Sequence, residues 1–176
     1  LVVEQLRIAA GEPLRLRQDQ VSRRGHAIEC RVNAENPARN FMPAPGRITA
    51  YREPSGPGVR VDASLAGPAE ISQHYDPMIA KLIVWGPTRE LAIARMRRAL
   101  LEYGIRGITT NLTYHLAILD SPDFISGGYT THFIEGHPEL VAAAARWAER
   151  KEPFDRVLRN PAQAAAIAGA IAVTTG

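Results

Sequence analysis

The chain has 176 residues, 45% of them apolar, 22% charged and 6% aromatic, with a formal net charge of +3. That length suits one domain, since domains usually run ~100–200 residues, and ordinary apolar content with a small net charge excludes a disordered chain. The 14 glycines and 13 prolines follow no period, which excludes collagen-like and coiled-coil chains, and no run of ~18 apolar residues exists to span a membrane.

The single cysteine, Cys30, excludes an internal disulfide framework and a paired-cysteine metal site and fits a reducing, cytoplasmic compartment. The opening Leu1-Val2-Val3-Glu4-Gln5 carries neither a basic nor a long apolar leader segment, and it reads as the middle of a helix, as though cut from a longer chain. A pI of 9.4 raises a nucleic-acid reading, but the arginines are interleaved with carboxylates and no basic stripe alternates with aromatics, so no nucleic-acid partner is expected. Clusters such as Arg23-Arg24 still suit a phosphate or an acidic partner.

Residues 1–10 predict a short amphipathic helix stopped by Gly11 and Pro13. After a polar connector, His26-Ala27-Ile28-Glu29-Cys30-Arg31-Val32-Asn33 places Ile28, Cys30 and Val32 on one face and Ala27, Glu29, Arg31 and Asn33 on the other. A half-buried strand in a mostly antiparallel sheet has this pattern. Residues 37–45 read as a loop and 47–52 as a second strand with Ile48 and Ala50 alternating. A turn at 54–58 precedes a third strand, Val59-Arg60-Val61-Asp62, whose valines point inward. The near-continuous apolar run Met78-Ile79-Ala80-Lys81-Leu82-Ile83-Val84-Trp85 predicts a central strand covered on both faces. Thr88 caps a helix through about Tyr103, with Ile93, Met96, Leu100 and Tyr103 inward and Arg95, Arg97 and Arg98 toward water or a partner. Residues 105–110 read as a short strand. Asn111 caps a further helix whose Leu112, His115, Leu116 and Leu119 form one stripe, ended by Asp120-Ser121-Pro122. Pro138 opens the last helix, which reaches about Lys151 before an Ala-rich, linker-like tail. Strands in a block followed by helices argue an α+β fold, a mostly antiparallel sheet with flanking helices.

No complete catalytic set is present: the serine-hydrolase, zinc-protease and P-loop patterns are all missing. The five histidines are spread without ligand spacing, so no metal site is expected. His115, on an apolar stripe, reads as packed rather than functional, and Gly127-Gly128 as a helix end and turn rather than a phosphate loop. The most suggestive feature is Glu29, Arg31 and Asn33 projecting to one side. A guanidinium braced by an acid and an amide can hold a carboxylate, a bicarbonate or an enolate oxygen; the alternative is a solvent-facing, salt-bridged strand. His74-Tyr75-Asp76-Pro77 is a second polar feature, or else a plain turn in which the aspartate bonds the backbone.

Three stretches carry a family resemblance. Gly25-His26-Ala27-Ile28-Glu29-Cys30-Arg31-Val32-Asn33-Ala34-Glu35-Asn36-Pro37, then Phe41-Met42-Pro43-Ala44-Pro45-Gly46-Arg47-Ile48, and Tyr75-Asp76-Pro77-Met78-Ile79-Ala80-Lys81-Leu82 closely resemble the C-terminal domain of biotin carboxylase. The similarity continues through Gly107-Ile108-Thr109-Thr110-Asn111 to Gly127-Gly128-Tyr129-Thr130-Thr131-His132-Phe133 and covers residues 1 to about 140, leaving 141–176 as a C-terminal helix and tail. The resemblance implies part of a ligase that uses Mg-ATP and bicarbonate to carboxylate biotin on a carrier protein. It implies that Arg31 contacts the biotin ureido oxygen and bicarbonate and stabilises the enolate formed when the ring nitrogen loses its proton. Glu29 and Asn33 would orient Arg31. Arg60 and Asp76 match positions at a homodimer interface, and Thr131 lies at the rim of the nucleotide pocket. Pro57 and Thr131 depart from the family, which usually places an aromatic and an aliphatic residue there. The ATP and Mg2+ site lies in family segments that precede this chain, so the fragment alone is expected to be inactive. The implied partners are the biotin carboxyl carrier, the remaining biotin carboxylase domains, a second copy of the chain and a carboxyltransferase subunit. The alternative is an assembly module with Arg31 in a structural ion pair. The acyl acceptor, acyl-CoA or pyruvate, is chosen outside this chain.

Overall fold

A computed structural model describes residues 1–157; the Ala-rich tail read above as a linker, from residue 158 on, lies outside the described residues. Helix α1 (Val2–Ala9) buries no residue and leads through a polar connector to β1 (His26–Asn33). Short strands β2 (Glu35–Asn36), β3 (Met42–Pro43), β4 (Gly46–Arg47) and β5 (Ala50–Arg52) follow, then β6 (Val59–Ala63), β7 (Glu70–Ile71), β8 (Met78–Gly86) and helix α2 (Arg89–Glu102). Strand β9 (Gly104–Arg106), α3 (Leu112–Asp120), the short α4 (Pro122–Ser126) and α5 (Phe133–Gly136), and α6 (Leu140–Val157) complete the described chain. The fold is α+β, and every strand pairing among the described residues is antiparallel.

The organising unit is a three-stranded sheet in the order β1-β8-β6. The inward residues of β1 meet those of β8, Cys30 opposite Leu82 and Val32 opposite Ala80, while Val59 and Val61 of β6 meet Val84 and Leu82. These side chains pack into one core with Ile93, Met96 and Leu100 of α2 and Leu112, Leu116 and Leu119 of α3. Fully burying an aliphatic side chain of this size is worth about 1.5–3 kcal/mol. Thr88 caps α2 as expected, its hydroxyl accepting from the Leu91 N–H. Helix α6 covers the far side of α3, burying Leu140 and Ala144 beside Tyr114, Ala117 and Phe133, and the buried Lys151 donates to the Tyr103 carbonyl at the end of α2, 2.7 Å away.

Several expectations need correction. The β8 run is central in the sheet but not covered evenly on both faces: Ile79, Ala80, Leu82 and Val84 are buried, Lys81 and Ile83 are half-buried, and Trp85 is 47% exposed. The helices pack on one side of the sheet, which is why Lys81 and Ile83 are left on the open side. The strand read at 47–52 is two strands broken at Ile48, because β4 pairs with β7 and β5 with β9. Ile48 turns fully inward between them. The strand read at 105–110 ends at Arg106, and the last helix starts at Leu140 rather than at Pro138. Nor do the three α2 arginines simply face water. Arg95 bonds the Trp85 carbonyl, Arg97 pairs with Asp120, and Arg98 pairs with Glu102 at 3.1 Å.

Gly107 begins the loop that delivers Asn111 to β1. Its φ of +96° favours glycine, and a Cβ there would stand 2.2 Å from the Arg47 carbonyl oxygen. Gly107→Ala is therefore expected to lower unfolding stability by more than ~1 kcal/mol. Gly67→Ala, with nothing within 4 Å of the added carbon, should stay within ~0.5 kcal/mol. Urea denaturation of the two variants checks the contrast.

Candidate functional site

Because opposite residues of an antiparallel pair share a face, the register that buries Cys30 and Val32 sends their neighbours to the open side of the sheet. Arg31 stands opposite Lys81, and Lys81 opposite Asp62 on its other flank. In the next row Glu29 stands opposite Ile83, and Ile83 opposite Arg60. The open face thus gathers Arg31, Lys81 and Arg60 with Glu29 and Asp62. Lys81 was missed in the sequence because it sits inside an apolar run. The available signal was parity, since Lys81, Ile83 and Trp85 form the odd-numbered face of β8.

Arg31 points outward with its side chain 69% exposed, and its Nε lies 3.8 Å from Glu29 Oε1. Asn33 does not brace it. The extra residue of the bulge at this step is Ile79 of β8, and the Asn33 amide goes to its other same-side neighbour, Asn33 Nδ2 donating to Glu35 Oε1 at 3.0 Å. Tighter contacts are made by the Arg31 backbone. Its carbonyl accepts from Asn111 Nδ2 at 3.0 Å and from His115 Nε2 at 2.9 Å. The Asn33 N–H donates to Asn111 Oδ1 at 2.9 Å. A carbonyl can only accept, so Nε2 of His115 carries the hydrogen. Burial pushes the His115 pKa down, opposed by that hydrogen bond. Asn111 stands at the expected helix start, but its side chain makes no cap. His115 lies on the packed stripe as expected, with a polar contact that the stripe did not reveal. Burial also raises the Cys30 thiol to about 12, with the Glu29 charge adding to it.

A cleft of about 310 Å³ opens beside β1, lined in part by Ala27, Glu29, Cys30, Arg89, His115 and Tyr129. Arg89 closes one wall, donating to the Phe124 and Ile125 carbonyls while lying over the Phe124 and Tyr129 rings. Arg60 pairs with Asp62 at 2.7 Å, and Asp76 accepts from the Met78 N–H at 2.8 Å, the turn geometry named above as its alternative. Thr131 is exposed in the loop between α4 and α5. That loop is clasped by His137, whose Nδ1 donates to the Phe133 carbonyl at 2.7 Å and whose Nε2 bonds Asp123 at 3.1 Å. Both partners accept, so the clasp is complete only when the ring is protonated, and the Phe133 bond chiefly, with Asp123, raises the His137 pKa. Among the described residues no cluster of three His, Cys, Asp or Glu could hold a metal ion, and no helix is long and apolar enough to cross a membrane.

The family model described as biotin carboxylase C-terminal domain matches residues 29–136. The chain is 54% identical over 135 residues to the biotin carboxylase of Nostoc sp., covering 77% of this chain and 30% of that protein. It is 50% identical over 135 residues to biotin carboxylase 1 of Bacillus subtilis, covering 77% of this chain and 30% of that one. Among solved structures, the biotin carboxylase domain of a thermophilic 2-oxoglutarate carboxylase bound to bicarbonate superposes with a TM-score of 0.72 at 44% identity, over 78% of this chain and 31% of that chain. The chain thus spans about 30% of the length of the curated relatives it matches.

The two histidines should give stability opposite pH dependences. His115 has its pKa lowered in the fold, so its contribution is present above the ordinary value of 6.5 and is lost as pH falls below it. His137 has its pKa raised, so its contribution is full below 6.5 and is lost as pH rises through the higher folded value. Melting temperatures at pH 5.5, 7 and 8.5 are expected to show a shallower acid-side loss in His115→Gln and a shallower alkaline-side loss in His137→Gln.

Proposed function

The chain belongs to the biotin carboxylase C-terminal domain family, and on that premise we propose that it is the C-terminal part of an ATP-dependent ligase that carboxylates biotin, on a carrier protein or domain, with bicarbonate. The observation that carries this reading is the outward, lightly paired guanidinium of Arg31 beside Lys81 on an open sheet face. Two like charges directly opposite repel, and an oxyanion between or above them relieves that repulsion. A guanidinium presents fixed donors and cannot be deprotonated at working pH, so Arg31 can stabilise an enolate oxygen on a biotin ring or hold a bicarbonate without itself losing a proton. Glu29 limits where the guanidinium can swing, and Lys81 adds positive potential to the same face.

In this reading ATP and Mg2+ are held by the rest of the enzyme, since phosphoryl transfer is carried by positioning and charge neutralisation around the metal and the family resemblance supports a nucleotide site outside this domain. Arg60 and Asp76 are assigned to contacts with a second copy in a homodimer, and Thr131 to the nucleotide-pocket rim. The carrier and a carboxyltransferase are the further partners, and the carboxyltransferase selects the acyl acceptor. The lone buried Cys30 fits a cytoplasmic setting.

In the complete enzyme, Arg31→Ala is expected to lower biotin carboxylation by ~100-fold or more, the scale of losing an oxyanion donor, and biotin-independent ATP hydrolysis far less. Equal loss of both activities, or loss of neither, would instead assign Arg31 to assembly. The isolated chain, given biotin, bicarbonate and Mg-ATP, is expected to release no ADP above background in a coupled assay; bicarbonate-dependent release would overturn the assignment of the nucleotide site to the rest of the enzyme.

A further inference from the structure

Among the described residues the guanidinium of Arg31 has a single loose ion pair, yet its own carbonyl and the backbone that follows it are bonded to the first turn of α3, 80 residues away in sequence. Strand β1 lies at the edge of its sheet, and its odd-numbered residues direct their peptide groups away from β8. An edge left to water would let these residues shift along or away from the sheet. Asn111 closes it instead. Its side-chain amide stands where a neighbouring strand's peptide group would, accepting from the Asn33 N–H at 2.9 Å and donating to the Arg31 carbonyl at 3.0 Å. The Asn111 backbone N–H adds a bond to the Asn33 carbonyl at 3.2 Å. One helical turn on, His115 supplies the second donor to the Arg31 carbonyl at 2.9 Å, filling both lone pairs of that oxygen.

The choice made by Asn111 is informative. An asparagine at a helix start ordinarily caps the helix, but here the side chain leaves α3 uncapped and is buried against the strand. From these four hydrogen bonds we infer that Asn111 and His115 are positioning residues for the Arg31-dependent step: they fix the Arg31 carbonyl and the peptide groups that follow it, so that the guanidinium is presented from one place. The inference rests on the reading of Arg31 given above. Neither residue touches the reacting groups, and their effect passes through the strand.

The test is made in the complete enzyme. Asn111→Asp keeps the acceptor for the Asn33 N–H but replaces the donor to the Arg31 carbonyl by a carboxylate oxygen. His115→Leu removes the imidazole donor, and His115→Gln restores an N–H at the Nε2 position. Asn111→Asp and His115→Leu are expected to lower kcat for biotin carboxylation ~10-fold or more beyond any loss of biotin-independent ATP hydrolysis, as misplacement of a reacting group does. KM for ATP should change little, and His115→Gln should recover most of the loss. In an Arg31→Ala background the same substitutions should change the ratio of the two activities hardly at all, since coupled residues are not additive. The inference is overturned if both activities fall together, if neither falls, or if His115→Leu and His115→Gln behave alike, since each outcome indicates a packing role. Should Asn111→Asp fail to fold, the two His115 variants decide alone. If Arg31→Ala leaves the ratio unchanged, the Arg31 reading fails; if it changes the ratio while the Asn111 and His115 variants do not, only the positioning inference fails.

Discussion

The structure depends on the period-two burial of the β1-β8-β6 sheet against α2. Cys30, Val32, Leu82 and Val84 are all nearly or fully inaccessible, and they define one face. A one-residue slip of β1 would exchange Val32 for Arg31 in that core, placing an ionised group in a hydrocarbon setting at a cost no neighbour there could offset. The same requirement that holds the fold in register therefore sets the outward row Arg31–Lys81–Asp62 and the row beside it. Fold and candidate site are two faces of one constraint. The Cys30 thiol, raised by burial one residue from Arg31, marks how abruptly the environment changes between adjacent positions.

How much of this was legible in the sequence follows from the range of each signal. The strand at 26–33 and the helix after Thr88 were legible because their signals are local: a side-chain alternation in the first, a cap and a 3.6-residue apolar period in the second. The open face of β8 was not, because Ile83 and Trp85 are apolar whether or not anything covers them. What leaves Trp85 exposed and Ile83 only half-buried is the placement of the helices on one side of the sheet. The break at Ile48 was hidden for a related reason, since its two halves are separated only by having different distant partners, β7 and β9.

Asn111 and His115 show the same limit at the site. An asparagine before an apolar helical run carries the local signature of a cap, and only a strand lying 78 residues earlier turns its amide elsewhere. His115 on an apolar stripe is a packed histidine in every local respect; its bond to the Arg31 carbonyl spans 84 residues. The expected bracing of Arg31 by Asn33 failed on a finer point. Alternation along β1 continues through Asn33, with Cys30, Val32 and Ala34 all buried, and it sets Asn33 between two neighbours on its side, Arg31 and Glu35; Glu35 takes the amide.

Three arginines among the described residues contrast with Arg31, and the contrast bears on what Arg31 is for. Arg98 meets both oxygens of Glu102 at 3.1 Å and also donates to the Ser55 carbonyl. Arg97 holds Asp120 and the Leu119 carbonyl, and Arg89 holds two carbonyls at the end of α4. These guanidiniums are fixed at their tips and join one element to another. Arg31 is fixed at its root, through the backbone, while its tip has only a carboxylate 3.8 Å from Nε. A structural arginine arranged this way would contribute little, because an exposed, loosely paired ion pair adds almost nothing to stability. A group that must meet a transient negative oxygen needs the reverse of a saturated fork: a defined origin for the side chain and donors left open for the charge that arrives.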